Sequence, residues 1–308
     1  MMKRLIRKLV SAAHHRLAGD YLGNSLALSL VLVETYQRPR LVAVPEGSRI
    51  LVLAPHMDDE ILGCGGTLRK HVLAGASVTV AFMTDGRHGD PELNAARLPD
   101  VERHEREQRL VETRKEESRR AAGIIGIGSL VFLDQPDGAL TANPEVVTAL
   151  AKVLGTTRPD LVYLPFLTER HRDHWETGSV FLEAIRSCAS KFDDLKCCGY
   201  EVWSPLLANI MVDIGAVLAN KRLAIQQFKS QLRHVDYLNC ILGLGAYRSI
   251  EHLGGRGHAE AFFLTSLARY EQLYRYLATW PKNARMNLGT NDHAECLADG
   301  GAGRSLEE

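Results

Sequence analysis

The sequence has no excess of either charge. Its 308 residues contain 37 Lys and Arg against 37 Asp and Glu, which gives a formal net charge of zero. That balance argues against a nucleic-acid binder that acts by neutralising phosphates, unless basic residues cluster locally. Apolar residues make up 45% of the chain and charged residues 24%, so we expect a folded protein with a substantial core.

Nor does the sequence contain an apolar run of membrane-spanning length. The run LALSLVLV, at 26–33, is far shorter than the roughly 20 residues that a spanning helix needs. A secretory signal is not expected, since His14, His15 and Arg16 interrupt the apolar stretch of the basic N-terminus. We expect residues 1–45 to form a helical extension that packs on the domain or on a partner subunit. Contact with a membrane surface is the alternative.

The six cysteines lack the spacing of a disulfide framework, and Cys197 and Cys198 are adjacent. Reduced thiols in a cytoplasmic protein are the simpler interpretation. The tail at 282–308 ends in DGGAGRSLEE and is expected to be disordered. We expect the remaining 46–281 to form one domain. The sequence leaves open whether the protein is a homo-oligomer.

Short apolar runs alternate with helical patterns along this domain. The predicted strands lie at 49–54, 77–84, 129–134, 159–165, 200–204, 209–214 and 259–264. The predicted helices lie at 60–75, 100–126, 144–157 and 175–187. Strands that alternate with helices of this length indicate βαβ units. The fold class is therefore α/β, with a mostly parallel sheet and helices on both faces.

Polar loops follow the first four predicted strands, and the first and fourth of these loops together supply three histidines and three aspartates. Ligands of open α/β sheets bind beyond the carboxyl ends of the strands, where these loops lie. The residues are His56, Asp58, Asp59, His171, Asp173 and His174. Imidazole and carboxylate at close spacing suit zinc, which in catalytic sites takes three protein ligands and leaves a position for water. The two loops together predict a metal site with acid–base groups beside it.

Each loop taken alone has a simpler explanation. Acidic residues at a helix start are stabilised by the helix dipole, by about 0.3–1 kcal/mol each. That explanation suits Glu60, and HRDH by itself would suit a solvated loop. The coincidence of the two loops at strand ends is what favours a metal site.

Two segments resemble one known family. PHMDDEILGCGGTL, at 55–68, resembles the HPDDE signature of the PIG-L/LmbE-like de-N-acetylase family, and HRDHWETG, at 171–178, resembles its HPDHxxTG segment. The two segments occur in the family's order, and the likeness extends over about residues 48–265. The resemblance implies a Rossmann-like fold and zinc-dependent removal of the acetyl group from an N-acetylated amino sugar of the GlcNAc type.

The resemblance also implies a role for each residue of the two loops. The implied ligands of Zn²⁺, or of another divalent metal, are His56, Asp59 and His174. Asp58 would be the general base that activates water. His171 would stabilise the oxyanion or protonate the leaving amine, and Asp173 would be available to orient an imidazole.

Three further residues are candidates for contact with an amino-sugar substrate. The resemblance implies sugar binding by Arg114 and Asp137, although Arg114 would also suit an ion pair on a solvated helix and Asp137 a Pro-Asp-Gly turn. Arg87, in the loop after the second strand, could contact substrate or belong to a plain polar loop.

The sequence departs from the family signature at Met57, where the family has proline. Proline fixes φ and restricts the preceding residue, so we expect a less rigid loop that keeps its activity. Two other functions remain open: a zinc amidase acting on another N-acyl compound, such as an acyl-aminosugar antibiotic, and a catalytically silent sugar-binding protein. A dinucleotide-binding oxidoreductase is disfavoured, because acids lie where a pyrophosphate would bind.

Overall fold

The computed structural model describes residues 38–95, 97–189 and 192–279, together with residues 28, 29 and 32. Its strands are β1 (Arg40–Val42), β2 (Arg49–Ala54), β3 (Ser77–Thr84), β4 (Ser129–Gln135), β5 (Leu161–Pro165), β6 (Lys196–Tyr200), β7 (Ile210–Asp213) and β8 (Ala259–Ser266). They form one sheet with the order β1-β7-β8-β6-β5-β2-β3-β4. All neighbours pair in parallel except β8, which is antiparallel to β6 and β7.

The helices described are α1 (Asp59–Leu73), α2 (Pro91–Ala95), α3 (Asp100–Ile125), α4 (Pro144–Thr157), α5 (Arg172–Ser187), α6 (Leu218–Ile225), α7 (Lys229–Leu232), α8 (Tyr237–Arg248), α9 (Ile250–Leu253) and α10 (Leu267–Ala278). A single 3₁₀ turn, Gly215–Val217, precedes α6. Asn143 caps α4 by accepting the Val146 amide, and Pro144 begins that helix, as helix-start preferences predict.

Apolar side chains of β2 supply both faces of the sheet. Ile50 and Val52 belong to one buried cluster, with residues of α1, α3 and α6, whereas Leu51 and Leu53 belong to the other, with residues of α4, α5 and α10. Because strand side chains alternate between faces, a run with no polar residue indicates burial on both sides. The predicted α/β class, with a mostly parallel sheet covered on both faces, is confirmed.

Glycines let α1 approach its neighbours closely. A Cβ on Gly63 would lie 2.4 Å from the ring of Tyr200, and one on Gly66 would lie 2.7 Å from Ile214. Both distances are shorter than carbon atoms tolerate, so these two positions require glycine. Cys64 lies between them, fully buried, and packs in the core as a small apolar residue.

Most predicted elements are found, but the strand expected at 200–204 is wrong. The strand is β6, Lys196–Tyr200, and the chain leaves the sheet where the prediction began. The amides of Val202, Trp203 and Ser204 donate instead to the carboxylate of Glu169. The aromatic and β-branched residues of YEVWS favour a strand, but the buried Glu169 carboxylate accepts the amide hydrogens of this segment.

The prediction missed β1, α2 and the helices from α6 to α10, of which α8 and α10 have 12 residues each. Most of the expected helical extension at 1–45 and the whole expected tail at 282–308 lie outside the described residues. Within the extension's range, β1 pairs with β7, and Leu28 and Leu32 are buried in the core. No helix in the described part of the chain combines the length and hydropathy needed to cross a membrane.

Candidate active site

The predicted residues meet at the carboxyl edge of the sheet, between the loops that follow β2, β4 and β5. The first loop leads into α1 through an unusual backbone conformation at Asp58, with φ of 155° and ψ of −29°. Residues other than glycine seldom adopt such a conformation. The Asp58 side chain makes no capping hydrogen bond to α1. Its carboxylate is therefore not used to start the helix.

The His56 imidazole lies among three carboxylates. Its Nδ1 is 3.2 Å from Asp59 Oδ2, and its Nε2 is 3.1 Å from Asp137 Oδ1 and 3.3 Å from Asp173 Oδ2. Burial would lower the pKa of His56, but the three acids outweigh it and raise the pKa well above its usual value. A buried cluster with this charge favours a cation at its centre, either protons on the imidazoles or a metal ion.

The second predicted ligand, Asp59, lies between two imidazoles. Its Oδ2 is 3.2 Å from His56 Nδ1 and 3.3 Å from His174 Nε2. Burial would raise the pKa of Asp59, but His174 and His56 hold it well below its usual range. Asp59 is therefore a carboxylate at any moderate pH, in the state that a metal ligand requires.

His174 completes the predicted ligand set from the start of α5. Both of its ring nitrogens are buried, and neither makes a hydrogen bond of good geometry, although Nδ1 lies 3.1 Å from Glu169 Oε2. Buried imidazole nitrogens are normally paired, so an orphaned Nε2 beside a carboxylate fits a metal ligand. A histidine that binds metal through Nε2 typically has a carboxylate at Nδ1, which is the position of Glu169.

The cluster offers more than one set of ligand atoms. One atom each from His56, His171 and His174 lies within 4.8 Å of the others, and the same holds for His56, Asp137 and Asp173. Together with Asp59, these nitrogen and oxygen donors have the composition of a catalytic zinc site. The residues present therefore fit a divalent metal.

The proposed base, Asp58, is buried beside Arg114. Arg114 Nη2 is 3.4 Å from Asp58 Oδ2, and the guanidinium also donates to the carbonyls of Gly86 (3.0 Å) and Met57 (3.2 Å). Burial raises the pKa of Asp58 to about 7, against the opposing charge of Arg114. Such a carboxyl can both take up and release a proton near neutral pH. Met57 is fully buried, so packing and the Arg114 contact hold the loop without a proline.

His171 borders the cluster, and its ring is perpendicular to that of His56 with centroids 4.7 Å apart. The Asp173 amide donates to His171 Nδ1 at 3.2 Å. Burial and the neighbouring imidazoles lower the pKa of His171 to about 3, so the ring is neutral. With Nδ1 an acceptor, the proton of the neutral ring is on Nε2. His171 is therefore a neutral hydrogen-bond donor.

Asp173 joins three loops of the site. Its Oδ2 accepts the Gly138 amide at 2.7 Å, its Oδ1 accepts the Leu140 amide at 3.1 Å, and the carboxylate also contacts His56. The side chain is completely buried. This contact with His56 would orient the imidazole, and that role stays a prediction.

The three predicted substrate residues have different surroundings. Asp137 is buried and contacts both His56 Nε2 and the amide of His88. Arg114 is buried against the Asp58 loop, as described above. Arg87 is half-buried and pairs with Asp85, to which its Nε donates at 2.8 Å. Sugar binding by all three remains a prediction.

Glu60 lies in the first turn of α1, as the helix-start explanation expects. Its side chain is buried, and Oε2 accepts the Asp58 amide at 3.2 Å. Burial and the charge of Asp58 raise its pKa well above the usual value. Glu60 therefore lies in the interior behind the Asp58 turn, where burial disfavours its charged form.

Sequence reasoning missed Glu169. Its carboxylate accepts the amides of Val202, Trp203 and Ser204 and contacts His174 Nδ1. The signal was an acid five residues before His174, in the same strand-end loop.

Residues 51–185 match the family model PIG-L, described as GlcNAc-PI de-N-acetylase. Diacetylchitobiose deacetylase of Thermococcus kodakarensis is 32% identical over 140 residues, covering 44% of this chain and 49% of that protein. The 1D-myo-inositol 2-acetamido-2-deoxy-alpha-D-glucopyranoside deacetylase of Kineococcus radiotolerans is 30% identical over 169 residues, with 44% of each chain covered. The chain spans about half the length of the curated relatives it matches.

A solved structure extends the likeness beyond the family model. N,N'-diacetylchitobiose deacetylase from Pyrococcus horikoshii superposes with a TM-score of 0.59 and 25% sequence identity. The match covers 79% of this chain and 91% of that one. The matched family segment contains the predicted ligands and the base.

Proposed function

We propose that the chain is a deacetylase of the PIG-L/LmbE-like family and that it hydrolyses the acetamido group of an N-acetylated amino sugar of the GlcNAc type. The observation that carries this proposal is the convergence of His56, Asp59 and His174 at one point, with Asp58 and His171 beside it. Two of the relatives act on diacetylchitobiose and one on a GlcNAc-inositol, so we propose a GlcNAc glycoside or conjugate as substrate.

We assign His56, Asp59 and His174 as ligands of Zn²⁺, with another divalent metal as the alternative. Two imidazoles and one carboxylate form a common ligand set of hydrolytic zinc sites. When bound, the ion supplies Lewis-acid activation of water and of the acetyl carbonyl. Glu169 would fix the orientation of His174 through Nδ1.

The residues beside this set supply the proton transfers. Asp58 takes a proton from water as the water oxygen forms its bond to the acetyl carbonyl carbon. The neutral His171 donates a hydrogen bond from Nε2 to the developing oxyanion. This protonation state favours stabilisation of the oxyanion over protonation of the leaving amine. Asp58 then returns the proton to the nitrogen, the C–N bond breaks, and the products are acetate and the free amine.

The decisive experiment measures acetate and primary amine released from GlcNAc, N,N'-diacetylchitobiose and a GlcNAc-inositol. Each substrate is tested with the metal-free protein and after addition of zinc. We expect release of both products in equal amounts from at least one sugar, only with metal present. No release from any of them would overturn the proposal. An N-acyl sugar with a longer chain, included in the panel, tests the alternative amidase function.

We also propose that the protein works in the cytosol. The cysteines in the described part of the chain are all free thiols, which is typical of a reducing compartment. Cell fractionation with a tagged chain would test this location.

A further inference from the structure

We propose that the indole ring of Trp203, with Tyr237 beside it, is the surface on which a pyranose ring of the substrate stacks. This inference rests on the proposed function and adds a specificity-determining residue outside the metal and proton-transfer groups. It follows from where Trp203 lies, how firmly its backbone is held and which part of an amino sugar reaches it.

Trp203 is connected to the metal cluster through a short series of contacts. Its amide donates to both oxygens of Glu169, at 3.2 and 3.1 Å, and Glu169 Oε2 lies 3.1 Å from His174 Nδ1. The segment that carries it follows β6, so it leaves the sheet at the same carboxyl edge as the loops of the site. Trp203 thus lies beside the His174 side of the cluster.

The ring itself is at the surface. Trp203 is 37% exposed, while the amides on either side of it are anchored to a buried carboxylate. A large exposed aromatic ring beside a cluster of polar loops suggests ligand contact. The anchored backbone means that little conformational entropy is lost when a ligand contacts the ring.

Tyr237 extends the aromatic surface from α8 toward the catalytic acids. Its ring is nearly perpendicular to that of Trp203, at 74°, with centroids 5.8 Å apart. Tyr237 packs against the buried cluster to which Met57 and Ile61, on either side of these acids in the chain, belong. Burial raises the pKa of its phenol, and the charges of Asp58 and Asp59 raise it further. The pair therefore lies between the segment after β6 and the buried cluster behind the first loop of the site.

The structure of the proposed substrate determines which part of it can stack on Trp203. The scissile acetyl carbonyl must lie at the metal cluster, so the part of the molecule that extends to the surface is the sugar and its substituent. A pyranose presents C–H groups on its faces and hydroxyls on its edges. An aromatic ring with a polar N–H, next to carboxylates, complements both. An acyl chain would instead need an enclosed apolar cavity.

The test compares Trp203→Ala, Trp203→Phe and Tyr247→Ala in the zinc-loaded protein. Tyr247 is 67% exposed on the same helix as Tyr237 and is the matched control for loss of a surface aromatic. With N,N'-diacetylchitobiose, we expect Trp203→Ala to raise KM about tenfold, the factor that corresponds to ~1.4 kcal/mol of lost contact, with kcat changed far less. Trp203→Phe should return KM to within about threefold of the wild type, because an aromatic face is restored.

Substrate size separates stacking from a structural effect. For an acyclic N-acetyl amine without a pyranose, the rise in KM should be within about threefold, since no ring is present to stack. An equal rise for both substrates, or a loss of bound zinc or of thermal stability in Trp203→Ala, would overturn the proposal. So would an unchanged KM for the disaccharide.

A binding experiment distinguishes this inference from the proposed function. Isothermal titration of N,N'-diacetylchitobiose into Asp58→Asn, with and without Trp203→Ala, measures sugar binding when turnover is blocked. Weaker binding in the double variant supports the stacking surface even if no sugar is deacetylated. If the wild-type protein deacetylates the sugar but the two variants bind it equally well, the proposed function stays intact and this inference is overturned.

Discussion

Two buried polar clusters lie against α1, one at its first turn and one beside its middle. In the second cluster, Lys221 Nζ donates to Leu62 O at 2.8 Å and to Glu260 Oε1 at 2.6 Å. Glu260 in turn accepts the amides of Gly66 at 2.8 Å and Thr67 at 2.7 Å. One cation meets one anion, and the remaining carboxylate positions face backbone donors.

The first cluster is assembled differently. Asp58, Asp59, Asp137, Asp173 and Glu169 outnumber the single permanent cation, Arg114, and both nitrogens of His174 are left without a well-formed hydrogen bond. Buried polar groups are ordinarily paired, and an unpaired one lowers stability. The comparison teaches that the Lys221–Glu260 cluster is paired within the protein, whereas the cluster at the first turn has an excess of acids that fits the proposed metal ion.

Of the changes predicted for the two clusters, removing a proposed metal ligand should have the largest effect, on metal content and on activity. We expect His174→Asn to abolish metal binding and to reduce deacetylation to background, because the proposed site keeps only two of its three ligands. Elemental analysis of the purified protein measures this directly. His71→Gln is the control: His71 is equally buried but contacts Tyr163 in the core, and it should keep about one metal ion per chain. Full metal content in His174→Asn would contradict the ligand assignment.

Replacing the base should leave the metal and remove the turnover. We expect Asp58→Asn to lower kcat by about 10²–10⁴, the usual contribution of general acid–base catalysis. Bound zinc should be unchanged. Asp134→Asn alters a half-exposed acid that pairs with Lys115 outside the site, so its rate should equal that of the wild type. Normal turnover by Asp58→Asn would show that another group takes the proton.

Breaking the paired cluster should cost stability. Lys221→Met leaves Glu260 buried without its cation, and we expect unfolding free energy to fall by about 3–5 kcal/mol. Urea denaturation measures the change, with Lys221→Met/Glu260→Leu as the second arm. The double variant should recover much of the loss, since no unpaired charge remains. Arg106→Met, which removes a half-exposed pair with Glu102, should change stability by no more than ~0.5 kcal/mol.

The smallest effect concerns the buried histidine of the core. Burial lowers the pKa of His71 from 6.5 to about 4. Because the folded pKa lies below the unfolded one, the stabilisation is complete above pH 6.5 and is lost as the pH falls toward 4. We expect His71 to account for ~2 kcal/mol of the stability lost between pH 7.5 and 5. Urea denaturation at both values should show a loss smaller by that amount in His71→Gln, and an equal loss would contradict the assignment.

The sequence predicted the strand ends and the residues that meet there, because parallel strands bring their carboxyl ends to one edge. It could not predict what the side chains do between loops. Arg114 looked like one charge on a solvated helix but is buried against Asp58, and Glu169 carried no signal beyond its position. YEVWS was predicted as a strand because its own residues give no sign that its amides donate to Glu169, which is distant in the sequence. These contacts depend on tertiary structure, which periodicity does not contain.

The position of β8 has a consequence for how the protein is made. A ribosome that has completed the family segment at 51–185 has already synthesised every proposed metal ligand and the base. The strand that joins β6 to β7, and the Glu260 side chain that holds the middle of α1, are made some 75 residues later in the order of translation, at Ala259–Ser266. Until that strand is made, the sheet has no strand between β6 and β7, and α1 lacks the Glu260 side chain that accepts two of its amides.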